Sequence, residues 1–301
     1  MRVLISGGTG LIGRALSASL LADGHPVWVL TRDPAAAPAR DGLTALRWDG
    51  RTVGEWSQML SGMDAVVNLA GENLSRWPWT ARRKQRFWDS RVDAGRALTE
   101  AVRQASPPPK VLIQSSGINH YGLQGGVADE AAPPGEDFLA RLTIAWEDST
   151  RELDELGVRR CILRTAVVLA KRDSLLSVMA LPVRLFAGGR LGSGNQAVPW
   201  IHIADVVGAI RYLLDGQTLR GPFNLVAPEP SSNADFYRTL AGVLRRPYWF
   251  PTPAFLLRLV LGEMSVLVAE GRYARPDRLL AAGYTFRFVK LEAALRDLLK
   301  G

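Results

Sequence analysis

The stretch Val3-Leu4-Ile5-Ser6-Gly7-Gly8-Thr9-Gly10-Leu11-Ile12-Gly13 decides the fold class. Its first residues read as a short buried strand, and the glycines that follow take the chain out of it in a tight turn. Leu11, Ile12, Ala15, Leu16 and Leu20 then recur at the helical period, and Gly24 is placed to stop the helix. Val27 to Thr31 is a second strand. Strand, glycine turn, helix and strand within residues 1–33 form a unit that holds a dinucleotide by its phosphates. Gly7 lets the chain turn sharply, Gly10 lets backbone approach the pyrophosphate, and Gly13 lets the helix pack on the sheet. Thr9 lies in that turn. The helix opened by Leu11 and Ile12 points free N–H groups at the phosphates. A glycine pattern alone is weak evidence; a strand before it and an amphipathic helix after it favour the phosphate reading over a purely structural turn.

The second strand ends in Leu30-Thr31-Arg32-Asp33. An acid here accepts hydrogen bonds from a ribose 2′-OH, whereas an arginine accommodates a 2′-phosphate. Arg32 therefore points to NADP(H), with Asp33 as the competing acid. Trp48-Asp49 closes the next strand, where it either flanks the adenine or forms a surface turn with Gly50.

Further strand candidates are Ala45–Trp48, Ala65–Ala70, Val111–Ser116 and Cys161–Leu169. Between them, Arg82–Gln104 reads as a helix stopped by Pro107-Pro108-Pro109, and Phe138–Leu156 as a helix ended by Gly157. The alternation predicts an α/β protein with a parallel sheet. After about residue 170 the pattern becomes more mixed. Ile203–Leu214 is a helix, Phe223–Ala227 a strand, and Ser231-Ser232-Asn233 caps a helix over Ala234–Leu244. The remainder is mostly helical, with Pro251 and Pro253 before one helix and Pro276 near the start of the next. The apolar segment Phe255–Ala269 is too short and too interrupted to span a bilayer, and reads as a core-packed helix. The expected architecture is a Rossmann-type doubly wound parallel sheet with a mostly helical C-terminal subdomain. Residues 1–220 form the dinucleotide-binding domain, with pocket insertions from about 170, and residues 221–301 a helical subdomain or lid.

Of the 301 residues, 47% are hydrophobic and 22% charged, the profile of an ordinary globular protein. A single cysteine, Cys161, excludes a disulfide framework and reads as a buried small hydrophobe, which fits a reducing cytoplasm. His25, His120 and His202 lack ligand spacing, so no metal site is expected. No charged leader precedes an apolar run, and no membrane partner is expected. The formal charge of +8 includes Arg82-Arg83-Lys84-Gln85-Arg86. Without an accompanying nucleic-acid motif, this run reads as a solvated helix face or one wall of a site for a phosphate-bearing ligand.

With Gly7–Gly13, Asn68-Leu69-Ala70-Gly71 and Ser115-Ser116 at successive strand ends, the chain resembles the extended short-chain dehydrogenase/reductases. Within them it resembles the atypical, sugar epimerase-like branch, the YfcH-type family. The segments Leu69–Asn73, Asp89–Val92, His120-Tyr121-Gly122, Pro199–Asp205, Asn224–Pro228 and Leu261–Met264 carry that likeness, which covers essentially the whole chain. The resemblance implies NADP lying across the strand ends. Leu69, Ala70, Gly71 and Ser115 would line it, and Arg164 would close the site from the other side.

A working member of that superfamily uses a tyrosine to move a proton and a lysine four residues later to lower the tyrosine's pKa. The helix that should carry them, Phe138–Glu147, contains neither. Tyr121 is the nearby tyrosine, but residue 125 is glycine. Ser116 matches the usual serine, and Tyr121 is a candidate acid or a residue packed under its loop. His202 is structural or a substitute catalyst. Arg91 and Trp146 either line the pocket or belong to helix surface and core. Two functions are expected in competition: an NADP(H)-dependent epimerase or oxidoreductase of unassigned small-molecule substrate, and a non-catalytic NADP(H)-sensing regulator or scaffold. A homodimer is expected only by analogy with other Rossmann proteins.

Overall fold

The computed structural model describes residues 1–123 and 126–300; Gly125, the residue four after Tyr121, lies outside them. The dinucleotide unit forms as read: β1 (Val3–Ser6), α1 (Leu11–Ala22) and β2 (Val27–Thr31). Then come β3 (Leu43–Arg47), β4 (Ala65–Asn68), α2 (Ala81–Gln104), β5 (Val111–Gly117), α3 (Phe138–Asp148) and β6 (Arg159–Thr165). The next elements are β7 (Val167–Leu169), α4 (Leu175–Arg184), β8 (Trp200–His202), α5 (Ile203–Asp215), β9 (Gly221–Leu225) and α6 (Asn233–Leu244). Four helices complete the chain: α7 (Ala254–Leu261), α8 (Val266–Ala269), α9 (Asp277–Ala281) and α10 (Leu291–Lys300).

Seven parallel strands pair in the order β3-β2-β1-β4-β5-β6-β9. The order reverses between β1 and β4, which opens a crevice outside the carboxyl ends of the strands. Strands β1 and β4 are buried on both faces, which is why they read as unbroken apolar runs. Leu16 and Leu20 of α1 join Ile210 and Leu213 of α5 on one side of the sheet. Leu98 and Val102 of α2 pack with Trp56 and Leu60 on the other. A separate core joins α4, α6 and α10 through Leu176, Val183, Phe236, Leu240, Leu295 and Leu298.

Four readings of the sequence are corrected. The run Cys161–Leu169 is two strands in different sheets, because Ala166 N–H bonds Leu225 on β9 while Val167 N–H bonds Pro199 and leads into the β7–β8 pair. Helix α3 stops at Asp148 because the Ser149 and Thr150 hydroxyls turn back to the carbonyls of Trp146 and Glu147. Residues 221–225, assigned to the C-terminal part, pair with β6 as the last strand of the main sheet. Phe255–Ala269 is not a core-packed helix: Gly262, at φ 56°, breaks it, and Phe255 and Leu259 are 67% and 80% exposed.

The C-terminal segment is clasped to the main body through α5. Asp205 accepts from the backbone N–H groups of Arg287 at 2.6 Å and Phe288 at 3.0 Å. His202 Nδ1 accepts from Ala204 N–H and caps α5, its ring lies 3.9 Å from that of Phe288, and its Nε2 is 3.3 Å from Asp297. Burial pushes its pKa down. Cys161 is fully buried, and burial raises its thiol to about 11. Among the described residues, no helix is long and apolar enough to cross a membrane.

Candidate cofactor and active site

The glycine turn is fixed by contacts that no side chain could share. Gly7 has φ 67°, and a Cβ there would sit 2.6 Å from the Leu69 carbonyl oxygen. A Cβ on Gly13 would meet the Gly7 oxygen at 2.5 Å, so α1 rests directly on the turn. Gly10 caps α1 without any side-chain hydrogen bond, and a Cβ on it would meet only the Gly7 oxygen, at 3.2 Å. The helix N-terminus thus offers unanswered N–H groups and open space to an anion. Thr9, Leu11 and Ile12 are partly accessible around this point. The Thr9 carbonyl accepts from Arg14, which also pairs with Asp173 at 2.6 Å.

At the end of β2 the acid and the arginine sit in different local settings. The Asp33 carboxylate accepts from Ala35 N–H at 3.1 Å and caps a 3₁₀ turn over Pro34–Ala36. Arg32 is exposed and has no polar partner among the described residues. A small cleft between the glycine turn and residues 37–43 is lined by Arg14 and Arg40. Trp48 and Asp49 serve their own loop. The Trp48 indole donates to Thr52 and packs against Trp56, while Asp49 accepts from the Arg51 and Thr52 backbone N–H groups.

Beneath the crevice runs a buried polar chain whose members lie too far apart in sequence to have been paired by spacing. Ser6 donates to Asn68 at 2.6 Å, Asn68 to Gln114 at 2.9 Å, and Gln114 to the Ser115 carbonyl at 2.7 Å. It fixes the ends of β1, β4 and β5 relative to one another. Beyond β4, Leu69 N–H bonds the Ser6 carbonyl, and Leu69, Ala70 and Gly71 lead away from the strand end. A Cβ on Gly71 would sit 3.1 Å from the Arg91 guanidinium carbon. Arg91 is buried, donates to the Phe87 and Glu72 carbonyls, and lies over the Trp146 ring at 4.9 Å. Burial, opposed by the Glu72 charge, lowers its pKa to about 10.

Ser116, Tyr121 and Arg164 do come together, but inside a closed network. Glu147 of α3 is its hub. Arg164 donates to both Glu147 oxygens at 3.0 and 2.9 Å, Ser116 donates at 2.7 Å, and His120 Nδ1 lies 3.4 Å away. Burial works against the charge on Glu147, yet the His120 and Arg164 partners outweigh it and hold the carboxyl at about 2. The Tyr121 hydroxyl accepts from Arg164 at 3.1 Å and donates to Asn224 at 2.6 Å; burial raises its pKa despite these partners. Glu130 completes the cluster by accepting from Asn224 N–H at 2.9 Å.

The α3 face that meets these strand ends carries Leu139, Thr143 and Glu147 at four-residue spacing. Thr143 stands beside Gly117, within 3.7 Å of where its Cβ would be, and its hydroxyl bonds back to the carbonyls of Leu139 and Ala140. No tyrosine or lysine occupies this face.

The model of the NAD dependent epimerase/dehydratase family matches residues 3–225, and that of a domain of unknown function, DUF1731, matches residues 252–298. The epimerase family protein YfhF of Bacillus subtilis is 34% identical over 301 residues, covering 99% of this chain and 98% of that protein. The human epimerase family protein SDR39U1 is 36% identical over 305 residues, covering 99% of each chain. The crystal structure of human SDR39U1 (isoform 2) with NADPH superposes at a TM-score of 0.89, with 34% identity and full coverage of both chains. These matches bear out the resemblance to the atypical, epimerase-like branch of the short-chain dehydrogenase/reductases. Matched across its main sheet by the family model and along nearly its whole length by these relatives, the chain belongs to the NAD dependent epimerase/dehydratase family.

Proposed function

We propose that this protein is an NADP(H)-dependent epimerase- or oxidoreductase-like enzyme acting on a small oxygenated molecule without the tyrosine–lysine pair of its superfamily. The observation that carries the reading is the uncapped start of α1 at Gly10 beside an unpaired Arg32 and an Asp33 already engaged by Ala35. The human relative was crystallised with NADPH, which supports the same cofactor here. When bound, the nicotinamide supplies hydride chemistry. The Leu11 and Ile12 N–H groups would hold the pyrophosphate, with Thr9 and Gly10 beside it, and Gly7 and Gly13 keep the cradle in shape. Arg32 would pair with the 2′-phosphate. Leu69, Ala70 and Gly71 would line the dinucleotide, and Ser115 the nicotinamide end.

In this reading Ser116, Tyr121 and Arg164 are positioning residues. Their polar atoms are engaged by Glu147, Asn224 and one another, so they fix β5 and β6 and leave proton movement to another group. The second reading is a protein that senses NADP(H) and turns nothing over; Leu139 and Thr143 on the α3 face favour it.

Calorimetric titration with NADPH, NADP, NADH and NAD tests the shared part. The expected result is NADP(H) binding about tenfold or more tighter than NAD(H), a margin of roughly 1.4 kcal/mol, lost in Arg32→Ala. Failure to bind any of the four refutes both readings. A change in the nicotinamide absorbance with any member of a panel of sugars and sugar nucleotides then selects the enzyme over the sensor.

A further inference from the structure

Two segments of the chain, 174–204 and 236–262, contain no aspartate or glutamate. They carry Arg184, Arg190, Arg238, Arg245, Arg246 and Arg258, all exposed. Among the described residues, Arg238 alone of these six is ion-paired, to Asp235.

The fold lays the two segments side by side. Trp249 donates its indole N–H to the Phe186 carbonyl at 2.7 Å, and the backbone N–H groups of Trp249 and Phe250 both bond the Gly188 carbonyl at 3.0 Å. Arg246 lies 4.6 Å over the Phe186 ring, and Leu191 bridges to Thr252.

The same face is unusually apolar for one left in water. Val178 and Leu181 on α4 and Leu185 at its C-terminal cap form a stripe at helical spacing and are 65%, 56% and 68% exposed. Phe186, Trp249 and Phe250 continue it, all more than half exposed. Phe255 and Leu259 extend it along α7. Isolated apolar side chains on a surface mean little, but a contiguous aromatic and leucine patch marks something that covers it.

The charge pattern says what kind of cover. Two copies joined about a two-fold axis would set the arginines of this face against one another, and the segments that build it carry no acid to pair with them. A bilayer bearing anionic headgroups suits both halves of the pattern. Arginines reach phosphate through long flexible stems while tryptophan, phenylalanine and leucine enter the boundary with the acyl chains.

We propose that the face formed by α4, residues 245–250 and α7 adsorbs peripherally to an anionic phospholipid surface. The expectation of no membrane partner rested on the lack of a leader and of a spanning segment, and adsorption needs neither.

Cosedimentation of the full chain with vesicles tests this, using phosphatidylcholine alone and an equal mixture with phosphatidylglycerol. The protein is expected to sediment with the mixed vesicles, much less with the neutral ones, and to be released by salt. Arg245→Ser with Arg246→Ser is expected to weaken binding roughly 30-fold. Leu181→Ser with Leu185→Ser, on an exposed helix face that unfolding should spare, is expected to weaken it at least about tenfold. Arg47→Ser with Arg51→Ser, near the β3 edge of the sheet, removes the same charge and is expected to change little. The proposal is overturned by absence of binding to mixed vesicles, or by an equal loss in the β3-edge variant. It is also overturned by a dimer in light scattering that the leucine variant dissociates, which would give the face to a second copy.

Discussion

Replacing Glu147 by glutamine removes one charge from the network behind the crevice and leaves its shape. The Glu147 and Arg164 side chains are 9% and 7% exposed, so solvent screens the pair little. In the folded protein the carboxyl sits at about 2, against 4.5 for an unperturbed glutamate. The difference of about 2.5 units corresponds to roughly 3 kcal/mol. The independent expectation for removing one partner of a buried ion pair is about 3–5 kcal/mol, because Arg164 stays behind uncompensated. Glu147→Gln should therefore cost roughly 3–5 kcal/mol at neutral pH, read by urea unfolding followed through tryptophan fluorescence. The pH dependence gives a second readout with a definite sign. A carboxyl lowered by folding stabilises fully above its unfolded pKa of 4.5, and that contribution is lost as pH falls from 4.5 toward 2. The wild type should therefore lose stability over this window more steeply than the variant, and the gap between them should narrow. The double variant Glu147→Leu with Arg164→Met removes both charges and should recover much of the loss. A Glu147→Gln protein within about 1 kcal/mol of wild type at neutral pH, or a gap that stays constant on acidification, would refute the account of the network.

Three further outcomes follow from the same geometry. Tyr121→Phe leaves Asn224 Oδ1 without its donor and takes one acceptor from Arg164, which keeps Glu147, and should cost about 1–3 kcal/mol in denaturant titration while NADP(H) affinity in calorimetry stays unchanged. Gly13→Ala would drive a methyl group into the Gly7 carbonyl at 2.5 Å; thermal melting should fall and dinucleotide binding should be lost, because the backbone cradle itself must shift. Asp205→Ala removes the acceptor of the Arg287 and Phe288 N–H groups, worth about 1.5–3 kcal/mol each, so amide exchange over 284–300 should accelerate well before the main sheet opens.

The parts of this fold legible in the sequence are those whose signal is local. The strand, turn and helix around Gly7–Gly13 could be read because each residue's requirement depends on neighbours a few positions away. So could the cap at Ser232, whose hydroxyl accepts from Asp235 N–H. The break between β6 and β7 could not, since Ala166 turns on a hydrogen bond to Leu225, far along the chain. Helix α7 misled for a related reason. Its composition is that of a core helix, and composition does not say whether the protein supplies a neighbour to cover it. Ser116, Tyr121 and Arg164 could each be singled out as polar residues at strand ends. Glu147 could not, because what makes it the hub is the convergence of β5, β6 and the 118–121 turn on one face of α3.

That convergence bears on mechanism. A group that moves protons must reach the substrate and titrate near the working pH. On the α3 face, Leu139 and Thr143 cannot do this, and Glu147, held at about 2, stays ionised at neutral pH. Tyr121 is pushed up by burial, and its proton is committed to Asn224. Ser116 and Tyr121, the candidates the sequence offered, are thus engaged with Glu147 and Asn224 in this structure. In the proposed reading the proton relay is assembled from groups outside this network, and the pH profile of turnover should then show neither the acidic limb of Glu147 nor the alkaline limb of Tyr121. If turnover instead vanished in Tyr121→Phe with cofactor binding and fold intact, the hydroxyl would have to leave Asn224 during the reaction, and the network would be a resting arrangement that substrate binding opens.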